Sequence, residues 1–258
     1  MNTTVFEAIN ITKKYRNTLA LNQVSMSVMQ GDIYGFIGEN GAGKTTMIRL
    51  LTGLAEPTTG NIALFGKSDK KLAKQRERIG CIIESPSLYL DMTAHENLEV
   101  QRLQRGIPGK VCIDNALELV NLRDAGKKKA KDFSLGMRQR LALAIALLGN
   151  PEFLVLDEPI NGLDPTGIIE LRNLLKRLNE ERGITILISS HILSELHLQI
   201  IDSVYNVSFY PLLPVVQVHN FLLSPEIPAN TIHSVILDRK STRLNSSHYQ
   251  QSRMPSSA

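Results

Sequence analysis

A lysine and a hydroxyl placed directly after a glycine-spaced loop are the groups with which a chain can grip a row of phosphates. Gly38-Glu39-Asn40-Gly41-Ala42-Gly43-Lys44-Thr45-Thr46 carries them at the spacing G-x-x-x-x-G-K-[ST]. Glycines at 38, 41 and 43 allow positive φ and close backbone approach, so successive N–H groups can point at phosphate oxygens. The helix N-terminus behind them adds partial positive charge. In such a loop Lys44 reaches the β- and γ-phosphates, and the Thr45 hydroxyl ligates Mg²⁺. The bland alternative is a glycine-rich turn with a solvated lysine. The flanks argue against it: Asp32–Ile37 reads as a buried strand and Met47–Leu51 as the first turns of a helix.

Two carboxylates complete a reaction site. Phe153–Leu156 is an apolar run that delivers Asp157 and Glu158 at its C-terminal end, where open α/β sheets bind ligands. Asp157 suits the Mg²⁺ side, and Glu158 is placed to polarise an attacking water. An acidic pair in a turn before Pro159 is the bland reading, and the phosphate loop outweighs it. Upstream, Ser134-Leu135-Gly136-Met137-Arg138-Gln139-Arg140 opens a helix. Alone it is an ordinary N-cap; beside the other motifs, its hydroxyl and glycine amide make a second anion site.

At this point the sequence resembles the ATP-binding cassette (ABC) ATPases, over about Val5 to Leu196. Their signature loop is usually LSGGQ. Ser134 and Gly136 match its phosphate-contacting serine and first glycine, and Met137 replaces the second. The resemblance implies that Tyr15 stacks on adenine and that Leu163-Asp164-Pro165 is the D-loop facing an opposite subunit. It also implies that His191, after Ser190, is the switch histidine near the γ-phosphate. Glu84 stands where the family usually has glutamine; it can ligate Mg²⁺ or a water, at the cost of negative charge beside phosphates. Glu84 and Ser-Leu-Gly-Met-Arg together look like the bacitracin and lantibiotic self-protection exporters.

The implied assignment makes Glu158 and His191 catalytic. ATP is held by Tyr15, residues 38–46, Glu84, Ser134, Gly136 and Asp157, and Mg²⁺ by Thr45, Glu84 and Asp157. The implied partners are a second ATPase subunit and separate membrane-spanning permease subunits, without nucleic acid. The implied function is an ATP-hydrolysing subunit of an exporter of drugs or peptide antibiotics, held at the inner face of the cell membrane by its permease. Two alternatives stand beside it: a soluble ABC ATPase of translation or DNA repair, and a C-terminally truncated, inactive fragment. Translation members generally carry two cassettes and repair members a long coiled coil, and neither pattern is present.

Composition fits a reducing, aqueous setting. The chain has 258 residues, 43% hydrophobic and 21% charged, with a net charge of +4. No apolar stretch approaches the roughly 18 residues of a membrane span, and Met1–Asn10 lacks a signal-peptide pattern. Cys81 and Cys112 show no metal or disulfide spacing. The basic excess lies largely in Arg239, Lys240, Arg243 and Arg253, while Lys67–Arg78 and Lys127–Lys131 read as solvated faces rather than a nucleic-acid footprint.

These side chains need a scaffold. Val5–Ile11 and Val24–Val28 alternate as strands around a polar turn at Lys13–Asn17, and Asn61–Phe65 and Ile79–Ile83 read as further strands. Lys67–Arg78 reads as a polar helix. Helical patterns follow from Thr93, a capping box with Glu96, to Arg105, and over Val111–Leu122 and Leu135–Leu148. A last helix spans Thr166–Arg182 and a last strand Ile184–Ile188. The expected fold is an α/β P-loop NTPase: a RecA-like parallel core with N-terminal antiparallel strands (1–83 and 151–196) and a helical subdomain inserted at 84–150. From about His197 the family pattern stops. Residues 197–258 are expected to be disordered, and Arg239–His248 resembles translated sequencing-adapter read-through after a frameshift.

Overall fold

The computed structural model describes residues 3–84 and 87–191. The chain begins with β1 (Thr4–Tyr15), β2 (Thr18–Met29) and β3 (Ile33–Ile37), followed by α1 (Lys44–Thr52). Next come β4 (Thr59–Leu64), β5 (Lys67–Ser68), α2 (Leu72–Arg76) and β6 (Ile79–Ile82). Three helices follow, α3 (Ala94–Gln104), α4 (Val111–Leu119) and α5 (Leu135–Leu147). The chain then returns to β7 (Phe153–Asp157), α6 (Pro165–Arg182) and β8 (Thr185–Ser190).

The strands form an antiparallel sheet, β2-β1-β4-β5, and a parallel sheet, β3-β8-β7-β6. β7 shows why the parallel sheet is so apolar. Phe153 and Val155 face a core shared with Phe6, Phe36, Met47 and Ile62, whereas Leu154 and Leu156 face one shared with Leu98, Leu117, Leu143 and Leu175. A strand covered on both sides has no polar alternation. Burying each large side chain is worth about 1.5–3 kcal/mol. Asp157 is therefore carried on a rigid stem. Helix α1 packs on both β2 and β7, which fixes the glycine loop between the two sheets.

Helix starts follow sequence signals. Thr93 and Glu96 form the expected reciprocal box: Thr93 N–H donates to Glu96 Oε2 at 2.7 Å and Glu96 N–H to Thr93 Oγ1 at 3.2 Å. Asp164 caps α6 through the Gly167 amide at 3.1 Å, with Pro165 first in the helix and Gly183 at φ 66° ending it.

Two local expectations need correcting. Residues 13–15 are strand, not turn, with Lys13, Lys14 and Tyr15 opposite Leu21, Leu19 and Thr18; only Arg16 and Asn17 connect β1 to β2. Polar composition there marks a solvated strand end. The helix expected over Lys67–Arg78 is divided into β5, a 3₁₀ turn at Asp69–Lys71 and the five-residue α2. Leu72 and Ala73 are its only apolar side chains, too few for a stripe that would hold a long helix to the core. Among the described residues no helix is long and apolar enough to cross a membrane. The tail expectation for residues 197–258 lies outside the described residues.

Candidate active site

The site is built at the carboxyl edge of the parallel sheet. β3 runs into the glycine loop, anchored where Gly38 N–H donates to Ser190 O at 3.2 Å. Gly43 sits at φ 96°, and a Cβ there would lie 2.6 Å from Ala20 O and 2.7 Å from Leu21 Cδ2. Only glycine fits both demands. Gly38 differs from expectation: its φ is not positive, and a Cβ would meet Ala42 Cβ at 3.3 Å, so close packing is what calls for glycine there. Gly43 offers α1 no side-chain cap, which leaves first-turn N–H groups of the helix for an anion.

Lys44 is only 5% exposed. Its ammonium donates to Gly38 O at 2.7 Å and Glu39 O at 3.1 Å, and lies 3.4 Å from Glu158 Oε1. A buried charge needs such partners. Asp157, 2% exposed at the tip of β7, accepts from the Thr45 hydroxyl on Oδ2 at 2.8 Å and from the Ser189 hydroxyl on Oδ1 at 2.5 Å.

Glu158 follows in a left-handed conformation, φ 51°, unusual for a side chain of its size. Its amide donates to Ser189 Oγ at 2.9 Å. Its carboxylate meets Asn161 Nδ2 at 2.8 Å, His191 Nδ1 and Lys44. Burial alone pushes this carboxyl up. The His191 and Asn161 hydrogen bonds, with the Lys44 charge, outweigh burial and hold it below the ordinary carboxylate value. Glu158 is thus held as an ion.

The structure joins Lys44, Thr45, Asp157, Glu158 and His191 in one hydrogen-bonded cluster. Glu84 is not in it. At φ 61° on the strand-end loop after β6, it ion-pairs with Arg49 of α1. Tyr15 is 41% exposed at the end of β1, with the Lys13 ammonium 4.7 Å from its ring centre. Ser134 caps α5, accepting from Met137 N–H at 3.2 Å. Among the described residues, no hydrogen bond links Ser134 to the Lys44 loop. Gly136 instead lies beside Leu163, whose Cδ2 a Cβ there would approach to 3.9 Å.

Sequence reasoning missed Ser189, Asn161 and Arg49. Asn161 carries a local signal, three residues after Glu158 in the same turn. The other two meet their partners only through the fold.

A hydroxyl and a carboxylate in contact, with an uncapped helix start beside them, form a hard-oxygen donor set that fits Mg²⁺ supplemented by phosphate and water. Among the described residues no group of three His, Cys, Asp or Glu side chains could hold a metal ion.

A strand, glycine loop and uncapped helix, with the acid-tipped strand β7 one strand away from β3, define a P-loop nucleoside-triphosphatase fold. The family model described as "ABC transporter" matches residues 21–161. The chain is 50% identical over 202 residues to the bacitracin transport ATP-binding protein BcrA of Bacillus licheniformis, covering 78% of this chain and 66% of that one. It is 44% identical over 186 residues to the lantibiotic transport ATP-binding protein SrtF of Streptococcus pyogenes, covering 72% and 80%. Among solved structures, cbiO1 from Clostridium perfringens, part of the ABC transporter complex cbiONQ, matches with a TM-score of 0.71 at 28% identity, covering 80% and 84%. An ATP-binding cassette dimer in a post-hydrolysis state with ADP and Pi matches at 0.66 and 28%, covering 74% and 89%. The chain belongs to the ABC transporter family of ATP-binding cassettes. It spans 66% of the length of the bacitracin relative from Bacillus and 64% of that from Enterococcus faecalis.

Proposed function

We propose that this chain is the ATP-binding and hydrolysing subunit of an ABC exporter of the bacitracin and lantibiotic type. The observation that carries the reading is the single cluster in which Lys44, Thr45, Asp157, Glu158 and His191 meet. Relatives named for bacitracin and lantibiotic transport support the substrate class. They weigh against the translation and repair readings.

The geometry supports a sequence of events. Lys44 is balanced by Glu158 and two loop carbonyls. Triphosphate oxygens compete for the ammonium and for the open amides of α1, and Lys44 turns from Glu158 to the phosphates. Glu158, kept ionised, then accepts a proton from the attacking water, and His191 holds the γ-phosphate side. Thr45 and Asp157 would hold Mg²⁺, whose chemistry is to neutralise charge on the β- and γ-oxygens. Tyr15 lies against the base. Ser134 and Gly136, at the start of α5, serve the ATP of a second copy. A dimer with two shared ATP sites would drive separate permease subunits from the cytoplasmic face of the membrane. The cassette is assigned to residues 1–196, with 84–150 as its helical subdomain.

The test is direct: purified full chain with MgATP, measuring ATP binding and phosphate release. Saturable ATP binding with Mg²⁺-dependent phosphate release is expected. A full chain that binds no ATP would refute the reading.

A further inference from the structure

We propose that Ser189 is a positioning residue for ATP hydrolysis, its single hydroxyl holding both carboxylates of the site in place; this rests on the ATPase reading above. Ser189 is fully buried near the end of β8, directly opposite Asp157 in the β7–β8 register and Phe36 in the β3–β8 register. Strand neighbours on both sides occupy its backbone. Its side chain is a buried polar group directly after the apolar run Ile186-Leu187-Ile188, and burial of a hydroxyl calls for hydrogen-bond partners.

A hydroxyl has one proton to give and two lone pairs to receive with. Ser189 gives its proton to Asp157 Oδ1 at 2.5 Å and receives the Glu158 amide at 2.9 Å. The first bond fixes the plane of the Asp157 carboxylate. With Oδ1 tied to Ser189, Oδ2 is left facing the Thr45 hydroxyl at 2.8 Å, the pair assigned to Mg²⁺. A carboxylate torsion is otherwise broad and roughly two-fold, so it does not hold this orientation by itself. The second bond holds the peptide that places Glu158 at φ 51°. Such a conformation persists only where surroundings over-determine it. That turn brings the Glu158 carboxylate to Lys44, Asn161 and His191. The Ser189 hydroxyl is engaged by the Asp157 carboxylate and the Glu158 amide. It acts through Asp157 and Glu158.

The test compares the full chain with Ser189→Ala, reading ATP affinity by calorimetry in EDTA and in Mg²⁺, melting temperature, and steady-state kinetics. The alanine variant is expected to bind ATP in EDTA within about 2-fold of wild type. The tightening that Mg²⁺ brings should shrink several-fold. Its kcat should fall about 10- to 100-fold with KM changed less than about 3-fold, the scale of a misplaced catalytic group. Ser189→Cys keeps a second side-chain heavy atom but donates weakly. It should fall between the two, and it supplies the same readouts where the alanine variant does not fold. A folded variant with kcat and Mg²⁺ tightening within about 2-fold of wild type overturns the inference. So does a loss of kcat that only tracks loss of folded protein and of EDTA affinity. Wild-type chain inert toward ATP overturns the ATPase reading itself, and the inference with it.

Discussion

The two ends of the parallel sheet are fastened in opposite ways. At the amino end, Arg78 grips Glu152 with two bonds of 2.7 and 2.6 Å and stacks on Phe65, its guanidinium 3.6 Å from the ring centre. Nearby, Asn179 Nδ2 donates to Gly31 O at 2.8 Å and to Ile184 O at 2.9 Å. A cavity of about 710 Å³ borders this end, lined in part by Phe65, Arg78, Glu152 and Arg182. At the carboxyl end, Lys44, Asp157 and Ser189 are buried, Glu158 has a left-handed backbone, and α1 starts without a side-chain cap. The amino end spends its polar groups on half-exposed pairs that close on themselves. The carboxyl end keeps charges that a phosphate chain can claim. A large cavity is therefore a poorer guide to chemistry here than a set of buried, exchangeable contacts at the strand ends.

Changes at the carboxyl end should alter nucleotide handling, and changes at the amino end should alter only stability. The largest effect is expected from Lys44→Ala. Losing a charge-assisted contact to phosphate should weaken ATP binding by about 3 kcal/mol, roughly 100-fold by calorimetry. Because Lys44 is buried and two loop carbonyls and Glu158 lose their partner, some loss of melting temperature is expected too, and affinity is read on the folded protein. Next comes Gly80→Ala in β6. A Cβ there would lie 2.2 Å from Ala146 O, so β6 and α5 must part. A loss of about 1–3 kcal/mol in denaturant unfolding is expected, with ATP affinity of the folded fraction unchanged. If Gly80→Ala weakened ATP binding as much as Lys44→Ala does, the division between the ends would fail.

The smallest effect belongs to Glu152→Gln. Arg78 holds the Glu152 carboxyl below its ordinary 4.5 through their hydrogen bond, against the opposing pull of partial burial. A depressed carboxylate contributes stability above its unfolded value and loses it as pH falls through the folded one. The pair is half-exposed, at 37% and 53%, so solvent screening leaves about 0.5 kcal/mol. The stability gap between wild type and variant should be present at pH 7 and close as pH falls below about 4.5. A gap that widened in acid would reverse the sign assigned to this pair.

Much of the carboxyl end was legible in the sequence because its chemistry is local. The phosphate loop, the acid pair after an apolar strand and the Thr93–Glu96 box each occupy a few consecutive residues. Apart from Asn161, what escaped was long-range. Ser189 lies 32 residues from Asp157, and Arg49 lies 35 from Glu84. Only strand register and helix placement bring them together. The Arg49 pair changes how Glu84 is read: its extra charge, relative to the family's glutamine, is answered by α1. The helix expected over 67–78 does not form, because polar composition alone does not hold a solvated helix together. Too little of it could be buried for a helix longer than one turn or so to hold.

The central claim is that Glu158 is the base of an ATP-hydrolysing site, and Glu158→Gln tests it most directly. The amide side chain keeps the shape and an acceptor oxygen but cannot take up the proton. ATP affinity should stay within a few-fold of wild type while phosphate release falls at least about 100-fold, the scale of a lost general base. ATP binding retained with turnover within about 3-fold of wild type would contradict the account.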